Sequence, residues 1–206
     1  MGFYSRVILP WFLDRALDRE ALNRIRQNVL SEANGEVLEI GFGTGVNLPY
    51  YPSGVKKITA VDPNPGMSLR AHKRIKASPL PIDLRISTAE TLPIPDNSFD
   101  TVVSTLTLCS IPDPDRAMGE VYRVLKPGGR FLFFEHGLSP DRKVQAWQDR
   151  LTPVSKILGG GCHLNRDIRS LVAAQPFVIQ NLANFYLEDA PKMAGYMSQG
   201  IAQKPL

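Results

Sequence analysis

The feature that most constrains the fold is an alternation, between residues 35 and 136, of short apolar runs with helix-patterned segments. "EVLEIGF" (36–42) is an apolar run that stops at glycine, the pattern of a buried strand. "KKITAVD" (56–62), ending at Asp62, "PIDLRIS" (81–87), "SFDTVVSTLTL" (98–108) and "RFLFFEH" (130–136) read as four further strands. Between them, "PGMSLRAHKRIKA" (65–77) has helical spacing. "DPDRAMGEVYRVLKPGG" (113–129) reads as a helix with Asp113 as N-cap and Lys-Pro-Gly-Gly as its stop. Strands alternating with helices predict a parallel sheet covered by helices on both faces.

The flanking segments complete this plan. Residues 5–32 read as helical, with Pro10 as a kink or early-turn residue, and "GVNLPYY" as a further short helix. Residues 141–175 read as mostly helical, broken by Pro153 and by the glycines at 159–161. "FVIQNLANFYL" and "YMSQGIAQK" predict two more strands, a hairpin-like pair closing the sheet edge. The expected organisation is a helical segment over residues 1–34 followed by one compact unit over 35–206.

Composition narrows the function classes. A chain of 206 residues with 43% hydrophobic and 21% charged residues is an ordinary globular protein. Its net charge of +4 comes from scattered Lys and Arg, without the basic stripe of a nucleic-acid binder. Cys109 and Cys162 lie far apart and suggest neither a disulfide framework nor a CxxC metal site. "VILPWFL" (7–13) is too short to span a bilayer and contains Pro10. These observations predict a cytoplasmic monomer without a metal.

The stretch "VLEIGFGTG" (37–45) indicates the ligand. In an open α/β sheet, ligands bind at the carboxyl ends of strands where strand order reverses. Glycines there let a ligand approach bare backbone. The spacing is G-x-G-x-G, with Val46 where a dinucleotide fingerprint needs its third glycine, and no Walker loop exists. A pyrophosphate ligand is therefore disfavoured. Asp62, ending the second strand, can accept both ribose hydroxyls of an adenosine; the alternative is that it caps the helix starting near Pro65.

Four pieces in order, "LEIGFGTG", "AVDPNPGM", "AETLPIPDNSFDTVV" and "VYRVLKPGGRFLFFEH", resemble the class I S-adenosylmethionine-dependent methyltransferases, type 11-like. The resemblance implies a Rossmann-like, doubly wound seven-stranded α/β sheet with its last strand antiparallel. It also implies S-adenosylmethionine as cofactor and S-adenosylhomocysteine as product. Glu39 lies where an acidic residue helps the cationic part of such a ligand. Gly41, Gly43 and Gly45 offer backbone, and Met67 and Leu92 are apolar walls or core. The family pattern extends the cofactor set to Phe42, Thr44, Asn47, Pro63, Asn64, Thr105 and Leu106. Many relatives carry an acidic residue before the alanine of the adenine loop. Here it is Thr88, which shifts adenine recognition to Ala89 and Glu90.

The acceptor side resembles the alkyl-thiol methyltransferases of the animal methyltransferase-like seven group, through "TLTLCS", the Glu-His ending the fifth strand, and "GCHLNR". Those relatives carry an N-terminal membrane anchor, which this chain is expected to lack. Quinone and phosphatidylethanolamine methyltransferases share the first half. A non-catalytic S-adenosylmethionine-binding protein is the rival from another class. For a thiol acceptor, His136 is the expected base; it could instead hold a loop. Cys109, Cys162, His163, Asn165 and Arg166 are expected at the acceptor, with simple packing, helix capping by Asn165 and pairing of Arg166 with Glu135 as alternatives. The N-terminal helix is expected as a lid, with Tyr4 reaching the methionine carboxylate, as a peripheral membrane contact, or as ordinary packing on the sheet.

Overall fold

The computed structural model describes residues 2–206. Seven strands form one sheet in the order β3-β2-β1-β4-β5-β7-β6. They are β1 (Gly35–Ile40), β2 (Val55–Val61), β3 (Ile82–Arg85), β4 (Phe99–Thr105), β5 (Leu125–His136), β6 (Val178–Tyr186) and β7 (Tyr196–Gln203). β1 pairs in parallel with both β2 and β4, so strand order reverses beside β1. β7 lies antiparallel between β5 and β6, which makes the expected edge hairpin and the single antiparallel strand.

The central strands β1, β4 and β5 are buried along most of their length because both faces are covered, while the edge strands β3 and β6 are partly exposed. Along β5, Phe131 and Phe133 join one core cluster, while Leu132 and Phe134 join the other. Successive strand side chains point to opposite faces, so consecutive phenylalanines serve two different cores. One face packs α4 (Pro114–Val124) and α6 (Ile168–Ala173), through Met118, Val121 and Val172. The other packs α2 (Glu20–Leu30) and α3 (Pro65–Ala77), through Leu22, Leu30 and Ala71.

Some boundaries differ from the sequence reading. The N-terminal helix is not continuous: a wide turn at Tyr4–Ile8 runs into α1 (Leu9–Leu17), and the chain turns extended at Arg19 before α2. The break holds because the Arg26 guanidinium donates to the Leu17 carbonyl (2.7 Å), which a continuing helix would have used itself. Pro153 does not interrupt α5 (Arg142–Leu158), which runs through it to the glycines. One lost backbone donor is tolerated inside a long helix. "GVNLPYY" forms only a 3-10 turn, Leu48–Tyr50. Asp113 caps α4, accepting from the Arg116 amide (3.1 Å). No helix among the described residues is long and apolar enough to cross a membrane.

Candidate functional site

A cavity of about 600 Å³ opens at the carboxyl ends of β1, β2 and β4, beside the strand-order reversal. The glycine turn after β1 forms its floor. Gly41 has φ +68°, and a Cβ there would overlap the side chain of Thr107. Gly43 has φ +57° and faces open space, the nearest atom to a Cβ being the Gly41 carbonyl at 3.9 Å. The two glycines therefore answer different needs, a close chain crossing at one and access to bare backbone at the other.

Asp62 ties this turn to the end of β2. One carboxylate oxygen accepts from the Gly43 amide and the other from the Asn64 amide, both at 2.8 Å. Burial raises its pKa against the pull of those two amides. Each oxygen keeps a lone pair for a ligand hydroxyl. The cap of α3 is Asn64, which accepts from the Gly66 amide, so Asp62 is not the helix cap.

Glu39 is buried at the end of β1. It accepts from Asn47 Nδ2 (2.8 Å) and the Tyr51 hydroxyl (2.7 Å), and Asn47 Nδ2 also donates to Thr105 Oγ1 (2.9 Å). Burial pushes its pKa up to about 7 despite these bonds. A carboxyl held near neutrality beside a cavity responds strongly to a cation placed next to it. Asn47 Oδ1 and Arg26 Nε are buried without partners, and both residues line the cavity. They are an acceptor and a cationic donor left for a ligand.

The wall after β4 is strained. Leu106 adopts φ +54°, which a side-chain-bearing residue rarely takes. Its amide is held by the Phe134 carbonyl (2.7 Å), and the next amide, Thr107, by the buried Glu135 carboxylate (2.9 and 3.0 Å). Ser104 Oγ also donates to Glu135 (2.7 Å). Glu135 therefore braces the turn and does not pair with Arg166. Arg166 donates instead to the carbonyls of Leu108 and Ile111.

Of the cofactor residues expected from sequence, Glu39, Gly41, Phe42, Gly43, Thr44, Asn47, Asp62, Pro63, Asn64, Met67, Ala89, Glu90, Thr105 and Leu106 line the cavity. Gly45 does not, and Leu92 is core. Tyr4 does not line the cavity: its hydroxyl donates to the Leu158 carbonyl (2.6 Å), which ties the N-terminal segment to the end of α5. α1 covers the mouth with Leu9, Leu13 and Leu17. Asp14 anchors it there, accepting from Thr44 Oγ1 (2.6 Å) and Arg74 (2.7 Å).

Sequence reasoning missed Arg26. A lone arginine in an amphipathic helix carries no signal of its own, and only the break before α2 turns it inward. Lys156, Ile157, Gly159 and Gly160 also line the cavity, bringing the end of α5 to its rim.

The expected acceptor residues gather in a second layer behind the rim. His136, Cys109, Cys162, His163, Asn165 and Arg166 do not line the cavity. His136 Nε2 lies 3.1 Å from Cys162 Sγ. Burial lowers the His136 pKa, but the Cys162 contact and the nearby Glu135 charge outweigh it and the net shift is upward. The Cys109 sulfur and burial push the Cys162 thiol far up. His163 donates its amide to the Cys109 carbonyl (2.9 Å). Asn165 bonds Asp149 (2.8 Å) and lies 3.3 Å from Thr152 Oγ1, while Asp167, not Asn165, caps α6. These bonds pin the segment 159–167 against the turn after β4.

A family model described as "Methyltransferase domain" matches residues 38–133. The thiol S-methyltransferase TMT1B of Rattus norvegicus is 36% identical over 156 residues, covering 72% of this chain and 62% of that protein. The thiol S-methyltransferase TMT1A of Homo sapiens is 35% identical over 153 residues, with the same coverage. The chain thus spans about 62% of the length of these relatives. A phosphatidylethanolamine N-methyltransferase of Cereibacter sphaeroides is 34% identical over 127 residues, 61% of this chain and 62% of that one. Among solved structures, a putative methyltransferase of Bacillus halodurans superposes with a TM-score of 0.74 at 18% identity, covering 89% of this chain and 99% of that one. The N-methyltransferase NodS of Bradyrhizobium japonicum, in complex with S-adenosylhomocysteine, superposes with a TM-score of 0.70 at 17% identity, covering 95% and 92%. At such identities the likeness is one of fold.

Proposed function

We propose, from the match of residues 38–133 to a methyltransferase domain, that the chain methylates a small, lipophilic acceptor from S-adenosylmethionine, a thiol being favoured. The observation that carries this is the convergence on one cavity of the bare Gly43 backbone, the Asp62 carboxylate and the buried Glu39. The donor set fits such a cofactor: carboxylates for a ribose and a cationic group, an unpartnered guanidinium nitrogen for a carboxylate, and no phosphate cradle. When bound, S-adenosylmethionine supplies an electrophilic methyl group on a sulfonium.

The residues divide the work. Asp62 accepts the ribose hydroxyls, and Gly43 lets the methionine part lie on the backbone. Glu39, through Asn47, favours the ammonium end, and Arg26 takes the carboxylate, a role for which Tyr4 is not free. Ala89 and Glu90 with Met67 hold the adenine side. α1 acts as the lid, its leucines excluding water from the transfer; of the expected helical lid over residues 1–34, α2 packs in the sheet core with the catalytic unit instead. His136 accepts the thiol proton. Its Nε2 already contacts a sulfur, that of the half-buried Cys162, and an acceptor thiol takes that place. Cys109, His163, Asn165 and Arg166 shape this end.

The thiol preference draws on the relatives TMT1B and TMT1A. A phosphatidylethanolamine or quinone acceptor is the second reading. It is favoured by exposed Phe3, Trp11, Phe12, Ile157 and Leu158, on two segments that the Tyr4–Leu158 bond holds together. Such a face suits a peripheral membrane contact. The chain works as a monomer in the cytoplasm, a compartment that suits two thiols kept reduced.

The test is calorimetric titration with S-adenosylmethionine and S-adenosylhomocysteine, then a panel of alkyl thiols, sulfide, quinols and phosphatidylethanolamine scored by S-adenosylhomocysteine release. Release with thiols supports the reading. Binding without release from any acceptor leaves a non-catalytic binder, and no binding overturns the cofactor assignment. Liposome binding lost on charge reversal of Arg6, Arg15 and Arg19 would support the membrane contact; no liposome binding would remove it.

A further inference from the structure

Three soft donors from distant parts of the chain meet behind the cavity rim. Cys109 lies in the turn after β4, His136 ends β5, and Cys162 follows the glycines after α5. Their ligand atoms all lie within 4.8 Å of one another. No sequence spacing announces the group, because each donor comes from a different loop or strand end.

We propose that Cys109, His136 and Cys162 form a binding site for a thiophilic divalent ion, zinc by its donor chemistry. Two thiolates and an imidazole with a fourth position free is a donor set zinc accepts. Bond lengths of about 2.3 Å to sulfur and 2.0 Å to nitrogen place tetrahedral donors roughly 3.5–3.8 Å apart. The widest spacing in the cluster therefore needs to close by at most about 1.3 Å, and the 3.1 Å His136–Cys162 contact to open by about 0.4 Å. Cys162 can supply that movement by rotation of its side chain, since it is half-buried where Cys109 is buried. Binding replaces two S–H protons by the ion, so the coordinated group is neutral and the Arg166 guanidinium stands close to the thiolates, not to a net cation.

A disulfide between the cysteines accounts for less. It would engage two sulfurs and leave His136, which is only 9% exposed, with neither ring nitrogen paired, since Nδ1 already lacks a partner. An ion engages all three groups. Coordination uses the same nitrogen lone pair that would accept a thiol proton, so a loaded site inhibits base catalysis by His136. The metal site itself rests on the cluster and not on the methyl-transfer reading.

The test uses the full chain, reduced and stripped with chelator, with neither cofactor nor acceptor present. Titration with Co²⁺ should give a saturating thiolate-to-cobalt absorption at one equivalent, together with the visible bands of tetrahedral cobalt, and one equivalent of Zn²⁺ should bleach both. Cys109→Ser and Cys162→Ser should each weaken binding at least about tenfold and diminish the thiolate band. Circular dichroism and melting of each variant check folding, and the half-buried Cys162 keeps the test available if Cys109→Ser fails to fold. Absence of the thiolate band in protein with both thiols free by Ellman titration would overturn the site. So would a band unchanged in folded Cys162→Ser. Neither result bears on methyl transfer.

Discussion

Substituting alanine at Gly41 and at Gly43 should separate two reasons for glycine in one turn. Both residues sit at positive φ, so each alanine costs about 1 kcal/mol of backbone strain. At Gly43 the new methyl meets nothing closer than a carbonyl 3.9 Å away, so strain is the whole stability cost. At Gly41 it overlaps Thr107, whose amide is held by Glu135 and whose hydroxyl bonds the Gly41 and Thr105 carbonyls. Thr107 cannot retreat without breaking that brace, and overpacking adds about 2 kcal/mol. For a chain of this size, roughly 2–4 °C per kcal/mol puts Gly41→Ala about 6–12 °C below wild type and Gly43→Ala about 2–4 °C below. The functional order is reversed. The Gly43 methyl points into the cavity, so Gly43→Ala should weaken S-adenosylhomocysteine binding more than its small loss of Tm suggests. Thermal melts and calorimetry on both variants decide the matter. If Gly41→Ala melts with Gly43→Ala, the Thr107 crossing is not what demands glycine. If Gly43→Ala binds as wild type does, the ligand does not lie on that backbone.

Other sites give sharper functional readouts. Asp62→Ala should abolish measurable cofactor binding and cost about 1–3 kcal/mol of stability, because the Gly43 and Asn64 amides lose a buried acceptor; unchanged calorimetry would remove Asp62 from the site. Glu39 binds a proton more readily in the folded chain, with its pKa raised from 4.5 to about 7. Its contribution to stability is therefore full below pH about 4.5 and is lost as pH rises toward 7. The stability of wild type relative to Glu39→Gln should fall across that window by up to about 3 kcal/mol, seen by urea titration at stepped pH; a flat difference would show that Glu39 stays ionised. His136→Ala should leave cofactor affinity near wild type and lower thiol turnover about 100-fold. It should also erase a rise of kcat/KM with pH, which wild type passes through above 6.5 because the folded imidazole holds its proton longer. Weakened cofactor binding with an unchanged rate would contradict the base role.

Much of this molecule could be read locally. Short β-branched and apolar runs bounded by turn residues mark strands segment by segment, because their pattern reflects the burial each strand meets in the sheet. The order of strands and helices followed from that, and so did the position of the glycine turn at the end of β1 and of Asp62 at the end of β2. Conformation at single residues and contacts between distant segments are different matters. Arg26 enters the cavity wall only because its guanidinium ends α1 by taking the Leu17 carbonyl. Tyr4 is tied to the end of α5 because the Leu158 carbonyl comes within its reach. Leu106 carries its strain only because β5 supplies the Phe134 carbonyl and the Glu135 carboxylate beneath it. Cys109, His136 and Cys162 become one cluster only when two strand ends and a glycine loop converge. Periodicity and turn chemistry act over a few residues and so are written in the sequence. The placement of a donor against a partner 26 or 154 positions away depends on how whole layers pack, and only the tertiary structure decides it.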